Sequence, residues 1–133
     1  MTKNRYNKVR KAIDAYAVYI YERFADKKGW VYMTLAQQQE AYKAVGMKIT
    51  NKLRSQVEVY EFIHNKPYTY SAYVNVTKKE MTTWTGEVLG TIQFLTNSSR
   101  PSIQVTAING LTYKGSYYKQ SGNYCRVKAI SKP

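Results

Sequence analysis

SIQVTAINGLTYKGSYY, residues 102–118, is the stretch that decides the fold of the second half of this chain. Apolar and polar residues alternate on both sides of the pair Asn109-Gly110, and such alternation is typical of half-buried strands. An Asn-Gly pair between two alternating runs is the strongest short-range signal for a β-hairpin. The stretch therefore predicts two antiparallel strands, Ser102–Ile108 and Thr112–Tyr118, joined by a tight turn.

The segments on either side of this hairpin alternate in the same way, and polar or glycine-containing turns separate them. They predict three further strands, near Thr82–Thr85, Val88–Leu95 and Tyr124–Ile130. Short antiparallel strands joined by short turns are typical of small sheets and barrels. We therefore expect residues 77–133 to form a small antiparallel β-sheet or a partly open barrel.

The first half of the chain has a helical pattern instead. Apolar residues recur at spacings of three and four between Val9 and Phe24, which predicts an amphipathic first helix over Asn4–Asp26. The apolar run Trp30–Met33 is too short for a helix and predicts a small strand.

A second and a third helix follow. Thr34 and Gln37 have the spacing of a capping box, which marks the start of the second helix. Gly46 can adopt the left-handed conformation that ends helices. Apolar residues spaced by four then predict a third helix of about two turns over Lys48–Gln56.

The chain is expected to become strand-like after the third helix. Residues alternate over Val57–Ile63 and again over Tyr68–Val76, and His64–Pro67 between them has the composition of a turn. This pattern predicts a hairpin with an aromatic return strand.

The order of these elements, over about Asn4–Val76, resembles that of a winged helix. Residues 39–47 resemble the centre of a helix-turn-helix, although Tyr42 stands where a small residue is usual. The resemblance implies that helix three enters the major groove and that the hairpin forms the wing, with Lys66 near a phosphate. The alternative is a plain three-helix cap on a sheet. Either way the fold class is α+β, with residues 1–76 as a helical lobe and 77–133 as a basic β lobe, or both packed as one domain.

The net charge of the chain is strongly positive. Its 133 residues carry 21 Lys and Arg against 8 Asp and Glu, which gives +13 at neutral pH. After Glu87 the sequence has no acidic residue. A surplus of this size opposes folding by self-repulsion, and a polyanionic partner would neutralise it. Nucleic acid is the commonest such partner. The cations after Glu87 are Arg100, Lys114, Lys119, Arg126, Lys128 and Lys132.

Tyrosines are interleaved with these cations, and tyrosine rings can stack on bases. The competing interpretation is structural, because tyrosine is a good strand former and several of these rings should lie in the core. If Cys125 and Val127 point inward, alternation puts Tyr124, Arg126 and Lys128 together on the outer face. The tyrosines considered for stacking are Tyr113, Tyr117, Tyr118 and Tyr124, with Tyr117 facing outward if Tyr118 faces inward.

The candidate nucleic-acid-binding residues are polar, cationic or aromatic residues on the predicted outer faces. The third helix is included because its exposed positions contain no acid, and Asn and Arg are usual readers of base edges. The candidates are Lys48, Asn51, Lys52 and Arg54 on helix three, Lys66 in the hairpin turn, and Lys114, Tyr117, Lys119, Tyr124, Arg126 and Lys128 in the β lobe.

Residues for catalysis or metal binding are scarce. One cysteine, Cys125, and one histidine, His64, do not make a zinc site, and no glycine-rich phosphate loop is present. We expect no enzyme activity, no metal and no cofactor. Cys125 is interpreted as a buried apolar residue, and Trp30 and Trp84 as packing residues.

The favoured function is a non-catalytic nucleic-acid-binding protein that contacts mainly DNA, rather than RNA, through phosphates and tyrosine stacking. The alternative is a small interaction module or inhibitor that docks on an acidic surface of a host protein such as a polymerase or nuclease, since Tyr and Arg are typical interface anchors. The composition resembles that of small phage-encoded viral proteins. No secretory signal or apolar run of membrane-spanning length is visible, so we expect a cytoplasmic protein with no membrane contact.

Overall fold

The computed structural model describes residues 1–131, so Lys132 lies outside the described residues. Three helices are followed by an antiparallel sheet closed into a barrel, which confirms the α+β class. The elements are α1 (Lys3–Phe24), α2 (Leu35–Val45), α3 (Asn51–Asn65), β1 (Thr69–Asn75), β2 (Glu80–Thr82), β3 (Val88–Phe94), β4 (Ser102–Ala107), β5 (Thr112–Tyr118), a 3-10 turn (Lys119–Ser121) and β6 (Tyr124–Ala129).

The chain divides into two compact units, and the division falls between Val57 and Glu58, inside helix α3. The sequence placed a boundary between residues 76 and 77. Strand β1 lies before that position, yet it pairs with both β2 and β6 and so belongs to the barrel unit.

The helical unit is built on the apolar face predicted for α1. Val9, Ile13 and Tyr16 are buried in one cluster with Ala41 of α2. The rings of Tyr16 and Tyr42 stack with their centroids 5.0 Å apart. The first helix is therefore confirmed, and its apolar face packs against α2.

Helix α2 begins and ends as its sequence predicts. The Thr34 hydroxyl accepts a hydrogen bond from the Gln37 amide at 3.2 Å, and the Gln37 side chain accepts one from the Thr34 amide at 2.9 Å. Gly46 ends the helix in the left-handed conformation, at φ 74°. The short strand predicted over Trp30–Met33 is wrong, because only an isolated bridge between Val31 and Ala25 forms there.

Helix α3 is longer than its sequence pattern predicted. It continues through residues 57–65, so the first arm of the predicted hairpin is helical and no winged helix is shown. The alternating apolar residues of this stretch also satisfy helical spacing: Val59 and Phe62, three residues apart, both pack on the core of the barrel unit. Packing thus overrides the two-residue periodicity.

The six strands form a closed barrel in which each pairs with its neighbours in sequence, and β6 pairs with β1. The sequence predicted a small sheet or a partly open barrel, with the β1 segment in the helical lobe; β1 instead joins β2 to β6 and closes the sheet. The predicted strand at Thr82–Thr85 is shifted to β2, and the other four strands are confirmed within a residue at each end. A barrel of this size has an interior that side chains fill.

One end of the barrel holds a hydrogen-bonded group around Asn109. Its side-chain amide donates to the Tyr113 hydroxyl at 2.8 Å and to the Phe62 carbonyl at 3.3 Å. The Tyr113 hydroxyl donates in turn to the Pro67 carbonyl at 2.7 Å. Asn109 therefore makes the predicted turn together with Gly110, whose φ is 85°, and also satisfies buried polar groups.

Two tyrosines of the barrel unit should make its stability fall in alkali. Burial, and then the hydrogen bond that Tyr70 donates to Glu58, raise the pKa of Tyr70 well above its usual value. Burial likewise raises the pKa of Tyr113. Since the unfolded chain ionises its tyrosines near pH 10 while these two stay protonated when folded, their stabilisation is complete below about pH 10 and is lost as the pH rises further.

We expect the free energy of unfolding to fall above about pH 10 by up to about 1.4 kcal/mol per pH unit for each of the two tyrosines. Urea unfolding between neutral pH and strong alkali measures this. Tyr70→Phe removes one of the two ionising groups and should therefore reduce the slope. A stability that stays level through this range would contradict the assignment.

Candidate nucleic-acid interface

The outer face of β6 carries the group that alternation predicted. Cys125 and Val127 are buried inside the barrel, whereas Tyr124 is half-buried and Arg126 and Lys128 are exposed on the outer side. An aromatic ring and two cations therefore share one side of one strand.

The registers of β1 and β5 extend this group into three rows, each crossing the strands in the order β1, β6, β5. The rows follow from the antiparallel pairing, which sets residues directly opposite each other about 5 Å apart. They are Tyr73, Tyr124 and Tyr118; Ser71, Arg126 and Ser116; and Thr69, Lys128 and Lys114. We call these nine residues the β1–β6–β5 face.

Lys114 and Lys128 stand directly opposite each other in this register. Like charges in such positions destabilise a sheet. The Lys128 ammonium lies 4.9 Å from the centroid of the Tyr68 ring, a cation–π contact that partly offsets this cost. Among residues 1–131 no carboxylate forms an ion pair with a cation of this face. The face therefore has positive charge that the barrel itself does not neutralise.

A cleft of about 510 Å³ opens at the β5–β6 end of the tyrosine row. It is lined by Arg100, Tyr118, Ser121, Tyr124 and Arg126. The rings of Tyr118 and Tyr124 lie 5.9 Å apart, and the Arg100 guanidinium lies 4.7 Å from the centre of the Tyr118 ring. Two guanidinium groups and two rings thus border one opening, a combination suited to phosphates and bases.

Two tyrosines considered for stacking belong to the core instead. Tyr117, a predicted site residue, is 5 % exposed, and its hydroxyl donates to the Asn123 side chain at 2.5 Å. Tyr113 is fully buried. Tyr117 is opposite Cys125 in the register, so both point inward and Tyr118 points outward. The prediction that Tyr117 faces outward was wrong.

Lys114 and Lys119 are both exposed, as expected. Lys119 lies in the 3-10 turn after β5 and lines a smaller cleft of about 110 Å³ together with Arg100 and Tyr118. Arg100 was noticed in sequence only as a cation, and no local pattern placed it beside a ring. Tyr73 was not a candidate, and Tyr118, although considered for stacking, was left out of the predicted interface, because which of these rings faces outward depends on the barrel register.

The candidates on the third helix lie in the helical unit. Lys48 precedes α3, and Asn51, Lys52 and Arg54 are exposed in its first turns, which begin at the capping hydroxyl of Thr50. The Arg54 guanidinium lies 5.8 Å from the centre of the Tyr16 ring. Ser55, the residue after Arg54, is buried.

Lys66 does not lie in a wing. It is exposed just after α3 with φ 45°, a left-handed conformation, and it leads into β1. His64 lies in the last turn of α3: its Nδ1 is 2.9 Å from the Tyr60 carbonyl, and its ring stacks on that of Tyr60.

Both tryptophans differ from expectation. Trp30 is 60 % exposed and Trp84 65 % exposed, so neither is a core residue. Cys125 is fully buried, as predicted, and burial raises the pKa of its thiol to about 11 against the opposing hydrogen bond with the Ala72 backbone. A thiol of this kind is a poor nucleophile.

No metal-binding cluster of three His, Cys, Asp or Glu side chains occurs within residues 1–131. Over the same residues, no helix has the length and apolar character needed to cross a bilayer. Comparisons with protein-family models, with curated proteins and with solved structures found no match.

Proposed function

We propose that this protein is a non-catalytic nucleic-acid-binding protein that contacts mainly DNA through the β1–β6–β5 face. The observation that carries the proposal is the set of three rows. Arg126 lies in the row next to the tyrosine row, and Lys128 and Lys114 lie in the row after that. Phosphate contacts supply most of the affinity of such proteins, and stacking tolerates any base.

The distribution of acids supports the same face. Strand β2 carries Glu80, opposite Asn75 of β1, whereas β1, β5 and β6 contain no acidic residue. The like charges of Lys114 and Lys128 repel each other across the β5–β6 pair. A polyanion bound across both lysines would be attracted to them and would neutralise this repulsion. The exposed Lys48, Asn51, Lys52 and Arg54 of the helical unit are proposed as additional contacts.

The dependence of DNA binding on salt tests this proposal. If Arg100, Lys114, Lys119, Arg126 and Lys128 each neutralise a phosphate, the logarithm of the binding constant should fall against the logarithm of salt with a slope of about −3.5 for single strands or −4.5 for duplex. Fluorescence anisotropy with labelled DNA at increasing salt measures the slope. Absence of binding at low salt would overturn the proposal.

A second candidate function is favoured by an exposed apolar patch in the helical unit. Trp30, Tyr32 and Leu35 are 60 %, 65 % and 73 % exposed, and the rings of Trp30 and Tyr32 lie 6.2 Å apart. The Asp26 carboxylate accepts hydrogen bonds from the Trp30 amide at 3.0 Å and the Lys28 amide at 2.8 Å, which fixes the loop that presents the patch.

This patch suits docking on an acidic protein surface, because Trp and Tyr are the usual interface anchors and Lys27 and Lys28 flank it. The candidate partner is therefore an acidic protein, such as a host polymerase or nuclease. Capture experiments with and without nuclease separate the two functions. Partners that persist after nuclease and are lost in Trp30→Ala would support docking; partners that vanish with nuclease would contradict it.

A further inference from the structure

The tyrosine row continues beyond β1 to an exposed tryptophan. Tyr73, at the β1 end of the row, is 43 % exposed. A cleft of about 380 Å³ lies beside it, and its lining includes Tyr73, Val76, Trp84 and Asn123. Val76 and Trp84 are themselves 44 % and 65 % exposed, so the apolar surface is contiguous there.

Trp84 lies in a short loop that hydrogen bonds between Thr83, Gly86 and Glu87 close. The Thr83 amide donates to the Glu87 carbonyl at 2.9 Å, and the Glu87 amide donates to the Thr83 hydroxyl at 3.1 Å. The Gly86 amide donates to the Thr83 carbonyl at 3.0 Å, with Gly86 at φ 93°. Thr83 is buried, so the loop is anchored in the barrel while the indole is presented outside it.

Together these residues form an aromatic track that crosses three strands. Its rings, in order, are Trp84, Tyr73, Tyr124 and Tyr118, and the Arg100 guanidinium covers the last of them. Neighbouring strands are about 4.8 Å apart, so the rings follow each other at a spacing comparable with successive bases of an extended strand. Arg126 lies two residues from Tyr124 along β6, about 6.8 Å away, and follows the track on one side.

We propose that this track binds single-stranded nucleic acid, about four nucleotides at a time, with bases on the rings and phosphates along Arg126 and Arg100. The proposal rests on the proposed function and names its ligand more closely. Ring faces can stack on bases only where the bases are not already paired and stacked in a duplex. A duplex could use the cations of the face but not the rings, so the track should discriminate between the two forms.

Anisotropy titrations with oligothymidylate, oligouridylate and a DNA duplex of equal length, all at one salt concentration, test the proposal. The wild type should bind a single strand more tightly than the duplex, and the two single strands distinguish DNA from RNA. Trp84→Ala and Tyr73→Ala should each weaken single-strand binding about tenfold while leaving duplex binding unchanged. Tyr21→Ala is the matched control, since Tyr21 is 62 % exposed but lies on α1 in the helical unit, and it should bind as the wild type does.

A readout independent of affinity is available. In a Trp30→Phe background the indole at Trp84 is the only one in the chain, and stacking should quench its fluorescence when a single strand binds. Circular dichroism of each variant checks that the barrel is folded. Salt-dependent binding that Trp84→Ala and Tyr73→Ala leave unchanged, or weaken equally on duplex, would overturn the track alone. Failure of the wild type to bind any of the three ligands would overturn the proposed function with it.

Discussion

Arg126→Glu combined with Lys128→Glu is expected to weaken DNA binding about 100-fold at low salt. Each change removes a phosphate contact and replaces it with a carboxylate that repels the next phosphate. Both residues are exposed on the same side of β6, beside Tyr124. The salt slope should also become shallower, by about 1.4 for single strands or 1.8 for duplex, because two phosphate contacts are lost.

The matched control is Lys8→Glu with Lys11→Glu. It makes the same change in net charge at two exposed positions of α1, in the helical unit. If attraction depends only on overall charge, both double variants should lose affinity equally. If the β1–β6–β5 face is the interface, the control should stay within a fewfold of the wild type. Equal losses in the two variants would contradict the assignment of the interface.

Stability measurements make this test sharper. The single substitution Lys128→Glu exchanges the like-charge pair with Lys114 for an attractive pair, worth about 0.2–1 kcal/mol. It also removes the contact between the Lys128 ammonium and the Tyr68 ring, which costs about 0.5–1 kcal/mol at an exposed site. The two effects nearly cancel, so the variant should unfold at about the wild-type urea concentration. Lost binding without lost stability would show that these cations serve the ligand and not the fold.

The parts of the fold that the sequence predicted are those with local physical signals. The capping box of Thr34 and Gln37, the left-handed Gly46 and the turn at Asn109-Gly110 each depend on residues close in sequence. Local hydrogen bonds and backbone preferences determine such features, so a few residues are enough to recognise them.

The end of α3 was missed because its pattern is ambiguous. Val57, Val59 and Ile63 alternate as a strand would, but Val59 also lies three residues before Phe62, and both reach the barrel core. Which periodicity governs depends on what the segment packs against, and that is a property of the tertiary fold.

On β6 the sequence predicted which residues face outward, and on β5 it predicted Lys114 but selected Tyr117 in place of Tyr118. On β6 the apolar residues Cys125 and Val127 identify the positions that face inward. The residues between and beside them were therefore expected to face outward. On β5 nothing local distinguished Tyr117 from its neighbour Tyr118, since both are tyrosines and adjacent. The pairing of Tyr117 with Cys125 decides the matter, and pairing between strands depends on closure of the barrel.

Gly115→Ala is expected to destabilise the barrel unit by about 3 kcal/mol or more. A Cβ at Gly115 would lie 2.0 Å from the Arg126 carbonyl oxygen and 2.7 Å from the Val127 Cα. Both are backbone atoms of β6, directly opposite in the ladder, so no side-chain rotation can relieve the clash. The strands would have to separate, and separation sacrifices ladder hydrogen bonds as well as packing.

Thermal and urea unfolding followed by circular dichroism measure this loss, which should lower the melting temperature by about 10 °C or more. Ser116→Ala, one residue along β5 and on the outer face, is the control and should change the stability by no more than about 0.5 kcal/mol. Gly90→Ala should reduce the stability by an intermediate amount. The nearest atoms to a Cβ at this position are 2.8 Å away, and one of them belongs to the Val105 side chain. A Gly115→Ala protein as stable as the wild type would contradict the close approach of β5 to β6. Because that approach also sets Arg126 beside Ser116 and Lys128 beside Lys114, the same substitution should weaken DNA binding in whatever fraction still folds.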